Sequence, residues 1–479
     1  MGDTRGDAVR NNRERGARPA ASAGDTSRNH ILADENIGAL LWRLSIPATV
    51  GMAVMATYNL VDAIFIGRGV GTLGLAGLAI CFPVQLAVMS FGHLIGMGGA
   101  SIISRALGAG DEARASRTLG NVLSLALMIA AGIMALGFGF LDDLLRLLGA
   151  TEAILPYSRE YLSIILWGTA FRCYAMSHNN IIRSEGRARV AMSVMLIGAL
   201  VNIALDPIFI FALGWGMRGA ALATVIAQAC TTTFIASYFY SGRSGLSVRL
   251  SDMLLSIPIV REVFAVGAAS FSRMAAGSLL IVVLNRTLGH YGGDLAIAAY
   301  GVINRLLHFA FMPVLGFAQA LQPVAGFNYG AGRFRRAKRA LRISAVRSTV
   351  FAGGAFLILV VLARPSITLF TRDEELVRLT VPALRTIALA FPVVGIQMMG
   401  AAMFQAFGRA GPALFLSLSR QIILLVPLVL VLPLFFGLTG IFAAFPAADL
   451  LATAITVLML LREFKRLDGI AVVGPAVAD

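Results

Sequence analysis

Apolar residues in this chain neither alternate with polar ones nor recur on one face of a helix. They run almost unbroken for about twenty residues at a time, between short polar, Gly-rich or basic connections. Twelve such runs lie near 42–66, 74–100, 119–140, 158–180, 188–212 and 219–240, then 262–286, 295–322, 344–363, 380–406, 412–436 and 438–461. A helix needs roughly 20 apolar residues to cross a bilayer, so each run predicts a membrane-spanning helix. Gly and Pro recur inside several of them, which helices in lipid tolerate. A membrane barrel would alternate apolar with polar positions and is excluded. The expected fold is all-α and integral to the lipid bilayer, with twelve spans.

Composition agrees: 58% of residues are hydrophobic and only 14% charged, against about 25% charged in soluble domains. A net charge of +15 would suggest nucleic acid in a soluble protein, but its distribution argues against that. With the N-terminus placed inside, 27 of the 40 Lys and Arg fall in inside loops and tails, eight outside and five (Arg172, Arg273, Arg305, Arg385, Arg420) within spans. Such a bias is the positive-inside pattern of a membrane protein. Both termini are therefore expected in the cytoplasm, the chain in a bacterial cytoplasmic (inner) membrane, and no nucleic acid among its partners. Residues 1–37 read as a disordered basic cytoplasmic tail, with no apolar core of a cleaved signal. Cys81, Cys173 and Cys230 sit inside apolar runs without metal-ligand spacing and read as small hydrophobes.

The sequence repeats itself. Gly108-Ala-Gly110 followed by Arg114, Ala115, Arg117 and Leu119 returns as Gly330-Ala-Gly332 followed by Arg336, Ala337, Arg339 and Leu341, an offset of 222. Gly186-Arg187-Ala188 returns as Gly408-Arg409-Ala410 at the same offset, and Gly216 with Gly219 returns as Gly437 with Gly440 at 221. Six spans per repeat is even, so the halves run parallel, related by an axis along the membrane normal. This divides the chain into an N-terminal six-helix lobe (38–240), a linker (241–261), a C-terminal six-helix lobe (262–463) and a cytoplasmic tail (464–479).

Three acids fall well inside spans: Asp62, Asp206 and Asp449. Facing lipid at mid-depth, each would cost about 2.5–3.5 kcal/mol. Each should therefore face a wet interior or pair with an intramembrane Arg, and Asp449 lies nearer a helix end. Tyr58 and Asn59 precede Asp62 by four and three residues, and Asn202 precedes Asp206 by four with Pro207 next. Carboxylates with amide oxygens suit a proton or a hard cation such as Na⁺. Candidates to line a substrate cavity are Tyr58, Arg172, Arg305, Gln319, Gln397 and Asp449. No P-loop and no hydrolase or zinc-protease motif is present, so neither an ATPase nor a membrane enzyme is indicated.

At these residues the sequence resembles the multidrug and toxic compound extrusion (MATE) family of secondary transporters. The resemblance is carried by Tyr58–Gly67 (YNLVDAIFIG), Asn202–Pro207 (NIALDP), Gly219–Thr224 (GAALAT), Gln322–Gly330 (QPVAGFNYG), Phe404–Gly408 (FQAFG), Arg420-Gln421, Gly437–Gly440 (GLTG) and Pro446–Asp449 (PAAD). It spans roughly residues 38 to 463. It implies two pseudo-symmetric parallel six-helix bundles and export of amphipathic or cationic small molecules against H⁺ or Na⁺, with no other cofactor and as a monomer. Asp62, Asn202 and Asp206 would be the coupling-cation site, with Asn59 beside them and Na⁺ possible at Asp62 and Asp206. In 267–274 (GAASFSRM) Arg273 stands where some branches carry an acid, which points to the DinF-like branch with coupling in the N-terminal lobe. The alternative is a lipid-linked oligosaccharide flippase of related architecture, whose cavity would need basic residues.

Overall fold

The computed structural model describes residues 31–33, 36–247 and 249–473. Most of the expected N-terminal tail and the last six residues lie outside them.

The described residues are helical, with no strand among them. In the first lobe the spans are α1 (Ile37–Gly69), α2 (Thr72–Gly108), α3 (Glu112–Gly139), α4 (Leu155–Ser184), α5 (Ala188–Pro207, continued as a π-turn Ile208–Ala212) and α6 (Gly216–Tyr240). The second begins with one continuous element, Ile257–Gly330, broken at Gly293 (φ 61°) into α7 (257–292) and α8 (294–330). Then come α9 (Phe334–Val361) and α10, a pair Glu374–Ala388 and Phe391–Ala406 bent by 49°. Next is α11 (Ala410–Leu418, the π-turn Ser419–Leu425 and Val426–Val431), and α12 (438–473) follows a break at Gly437 (φ 57°). Together these make the twelve-helix, two-bundle fold.

Among the described residues nine helices are long and apolar enough to span by themselves, counting Ile257–Gly330 once, and the bent pair makes a tenth. The remaining span, α4, is long but polar, carrying Arg172, His178, Asn179, Asn180 and Arg183. Those side chains have their use inside the lobe.

The repeat extends further than the sequence motifs. Gly71, Gly110, Gly186 and Gly216 have positive φ in the first lobe, and Gly293, Gly332, Gly408 and Gly437 have it in the second, at offsets of 222 or 221. Left-handed backbone strongly favours glycine, so both lobes turn at the same places for the same steric reason.

Packing differs between the two faces of the molecule. On the face carrying the basic cluster 333–347 and the ends of α2 and α8, one hydrophobic core joins both lobes, including Ala106, Leu107, Val263, Val324 and Phe407. On the other face each lobe has its own core, around Leu284, Tyr300 and Phe445 in one and Ile66, Tyr161 and Ile210 in the other. The joint is made by glycines at reciprocal crossings. A Cβ on Gly108 would lie 2.0 Å from the Phe327 carbonyl oxygen, and one on Gly330 would lie 2.0 Å from that of Arg105. Gly98 meets Val263 and Gly267 meets Leu94 in the same way. Glu262 on α7 reinforces the joint, accepting from Arg105 at 2.9 Å and Arg114 at 2.8 Å.

The linker is docked. Asn121 on α3 donates to the carbonyls of Asp252 and Leu254 and accepts from the Ser256 amide at 2.7 Å. Buried Glu185, just past α4, accepts from Tyr238 Oη, Ser244 Oγ and the Gly245 amide. Glu185 lies outside the spans, and burial pushes its carboxyl above the usual range, against hydrogen bonds that act to lower it.

Candidate functional site: a carboxylate pair beneath an N-lobe cavity

Asp62 on α1 and Asp206 on α5 lie against one another inside the first lobe. Asp206 is fully buried, Asn202 and Asp62 nearly so. The Asn202 amide donates to Asp206 Oδ1 at 3.3 Å and to Thr224 Oγ1 of α6 at 3.4 Å. That leaves Asp62 Oδ1, Asp206 Oδ2 and Asn202 Oδ1 buried without hydrogen-bond partners. Buried polar oxygens in native proteins are nearly always satisfied. A proton or a small oxygen-loving cation would satisfy these. Among the described residues neither acid pairs with an arginine.

Local sequence explains the placement. Pro207 has no N–H to continue the α ladder, and the next residues widen into a π-turn closed by the Leu213 amide on the Ile208 carbonyl at 2.9 Å. Such turns often sit at functional sites, and this one ends the helix just past Asp206. On α1 the 100° step per residue sets Tyr58 about 40° to one side of Asp62 and Asn59 about 60° to the other. Tyr58 accordingly turns inward, beside Arg172 and the acids. Asn59 is exposed and makes no hydrogen bond with the pair.

Above the acids lies a cavity of about 280 Å³, lined by α1, α2, α4, α5, α6 and one residue of α8, Gln319. Its wall is mostly apolar, with Met52, Met55, Met89, Met176 and Met195 prominent, and Gly198, Ala199, Ala175 and Ala227 give it room. Its volume approaches that of pockets for drug-sized ligands, and flexible Met side chains let such a wall adapt. Tyr58, Asn202 and Thr224 form the part nearest the acids.

Of the residues expected at a substrate cavity, Tyr58, Arg172 and Gln319 line it. Arg172 donates from Nη1 to Gln228 at 3.2 Å when that amide is oriented to satisfy its neighbours, and its buried Nε has no partner. Gln319 accepts from Arg183 and reaches Met52, tying the lobes across the cavity mouth. The others lie elsewhere. Arg305 is exposed on α8. Gln397 is buried in the second lobe with neither amide atom bonded. Asp449 forms a 2.5 Å ion pair with Arg420 there.

Sequence reasoning missed Arg183, counted with a loop but placed in the last turn of α4, and also Gln228, Asn179, Asn180 and His93. The polarity of α4, unusual for a lipid-facing helix, was the signal available. Among the described residues no cluster of three His, Cys, Asp or Glu side chains could hold a metal ion.

A single family model, MatE, matches residues 47–208 and again 269–431, once in each lobe. Multidrug export protein MepA of Staphylococcus haemolyticus is 26% identical over 408 residues, covering 85% of this chain and 90% of its own. A protein of Shewanella oneidensis named FAD transporter is 28% identical over 442 residues, with 88% and 94% covered. A solved structure described as the outward-facing conformation of a multidrug resistance MATE family transporter superposes with a TM-score of 0.87 at 27% identity, covering 94% of this chain and all of that one. A membrane transporter rather than an enzyme, the chain belongs to the MatE family of efflux transporters, the multidrug and toxic compound extrusion proteins.

Proposed function

We propose that the protein is a secondary active exporter that moves bulky amphipathic molecules out of a bacterial cell in exchange for H⁺ or Na⁺ taken up at Asp62 and Asp206, with Asn202 and Thr224 completing the cation cradle. The observation that carries this reading is three orphaned oxygens, buried side by side under an apolar, Met-lined cavity. Loading a cation there cancels negative charge behind Tyr58. A cationic cargo is then held less tightly, and by linkage the cargo expels the cation equally. The basic face, with both chain ends, is the cytoplasmic one in this reading. The joined core at that face and the separate cores at the other then describe a state open to the outside, and the lobes rock about the cleft between them. The protein works as a monomer in the inner membrane, in the DinF-like manner with coupling in the first lobe.

The test is efflux of a fluorescent lipophilic cation from pump-deficient bacteria, with and without a protonophore and with Na⁺ replaced by K⁺. Wild type should extrude the dye and Asp206→Asn should insert normally but extrude none. Normal efflux by a well-inserted Asp206→Asn would overturn the assignment.

One observation favours a second reading of the cargo. Arg172 and Arg183 line the cavity, and among the described residues no carboxylate does and neither arginine forms an ion pair. Such a wall suits a molecule bearing an acidic group, and a relative is named for FAD, whose pyrophosphate is anionic. The readings differ in sign: lowering pH or adding Na⁺ weakens binding of a cationic cargo and strengthens binding of an acidic one.

A further inference from the structure

The two lobes share a fold, but every residue lining this cavity except Gln319 comes from the first, and at five of those positions the repeat shows what stands in the second. At an offset of 222, Met89, Ala175, Gly198 and Ala199 correspond to Phe311, Gln397, Arg420 and Gln421. On the last span the glycine pairs set the offset at 221, and Gln228 corresponds to Asp449. All five first-lobe residues line the cavity. Four of their counterparts are larger: a glycine becomes Arg, two alanines become Gln and a Met becomes Phe.

In the second lobe Arg420 meets both Asp449 and Phe311. Arg420 donates from Nε to Asp449 Oδ1 at 2.5 Å and from Nη2 to Oδ2 at 3.4 Å. Its guanidinium lies over the Phe311 ring, 5.5 Å from the centroid, and Asp449 is 6% exposed. The π-turn Ser419–Leu425 carries Arg420. Gln397 is unbonded at both amide atoms and Gln421 at its oxygen, so they act here as volume rather than as a satisfied network.

We infer that the Arg420–Asp449 pair, with Gln397, Gln421 and Phe311, is a built-in occupant of the second lobe's counterpart of the cavity. The tethered guanidinium fills and neutralises a space that in the first lobe is left for cargo, and transport runs through the first lobe alone. The pair is filler in this account and takes no part in exchange, so its charges can be replaced by apolar volume but not removed singly. Exchanging a buried ion pair for hydrophobic residues of similar size is often neutral or stabilising, whereas deleting one partner strands a buried charge.

Three purified variants and wild type test this, by melting in detergent and by efflux. Arg420→Met with Asp449→Leu should melt at or above wild type and keep efflux within about twofold, while Asp449→Ala alone should melt well below. A folded Met/Leu variant with efflux cut tenfold or more, or one melting as low as Asp449→Ala, would overturn the inference. The third variant carries Phe311→Met, Gln397→Ala, Arg420→Gly, Gln421→Ala and Asp449→Gln. Equilibrium dialysis should show it binding one more tetraphenylphosphonium per chain than wild type; an unchanged stoichiometry in the folded variant would also overturn the inference. The transport arm rests on the export reading. If wild type exports nothing that reading falls, while the melting comparison still decides the role of the pair.

Discussion

At the crossing of α2 and α8 the lobes meet backbone to backbone, and a single methyl group tests its role. In Gly108→Ala the new Cβ would stand 2.0 Å from the Phe327 carbonyl oxygen and 2.8 Å from its carbonyl carbon, where ordinary contact begins near 3.4 Å. The obstacle is helix backbone, which cannot swing aside as a side-chain tip does. Removing the overlap, the difference between 3.4 and 2.0 Å, parts the helices locally by about 1.4 Å. Gaps of 0.5–1 Å already forfeit a quarter to a half of the dispersion well, and overpacking costs about 1–3 kcal/mol. That energy falls only on the state in which the basic face is closed. The population open at that face should therefore rise about 5- to 150-fold. The assay places a cysteine at Ala325, fully buried in the joined core, in a chain whose three native cysteines are replaced. The rate of labelling by a charged maleimide should rise with Gly108→Ala and further with Gly330→Ala added. A labelling rate and melting temperature both indistinguishable from the parent would refute the idea that this crossing holds the face shut.

Four further outcomes follow from the same geometry. Glu262→Gln removes the charge and one of the two oxygens that accept from Arg105 and Arg114; labelling at the Ala325 position should increase, by less than with Gly108→Ala because the pairs are partly exposed and worth only about 1 kcal/mol or less. Asn202→Ala takes away the amide that orients Asp206; at about 0.5–1.5 kcal/mol for one hydrogen bond, the concentration of coupling cation giving half-maximal exchange should shift about two- to tenfold, measured by flux in proteoliposomes. Gly198→Leu gives the first lobe a filled wall like that of the second; its Cβ displaces only the Thr231 methyl, 2.9 Å away, so the variant should fold yet lose dye binding in equilibrium dialysis. Glu185 has its carboxyl raised by burial, so the folded state holds a proton that the unfolded state gives up. Its contribution therefore opposes folding at neutral pH and fades as pH falls through the raised value toward that of a free carboxyl. Melting followed against pH should show this slope in wild type and lose it in Glu185→Gln.

Much of this was legible in the chain alone, for reasons belonging to the solvent. Lipid accepts only segments whose side chains are apolar and whose backbone is satisfied within the segment, so the runs at 42–66 or 219–240 announced their helices without tertiary information. Tight turns between helices that need positive φ demand glycine wherever they occur, and the 222-residue repeat could be read from those glycines. Asp62 and Asp206 stood out because a carboxylate in a span is costly unless it has a purpose. What the sequence left open depends on volumes and angles set by distant residues. Asn59 was grouped with Asp62 by its spacing, but it lies on the opposite side of that acid from Tyr58, and which side faced inward was decided by how α1 packs on α5. Asp449 and Asp206 looked alike as intramembrane acids; only the fold set Arg420 against one and left oxygens of the other without a partner. Arg183 read as a loop charge because its last-turn position is indistinguishable from a loop until α4 is seen bordering a cavity. A cavity is space that side chains leave unfilled. It has no residues of its own to be read, and it exists in the first lobe because Gly198 and Ala175 stop short where Arg420 and Gln397 do not.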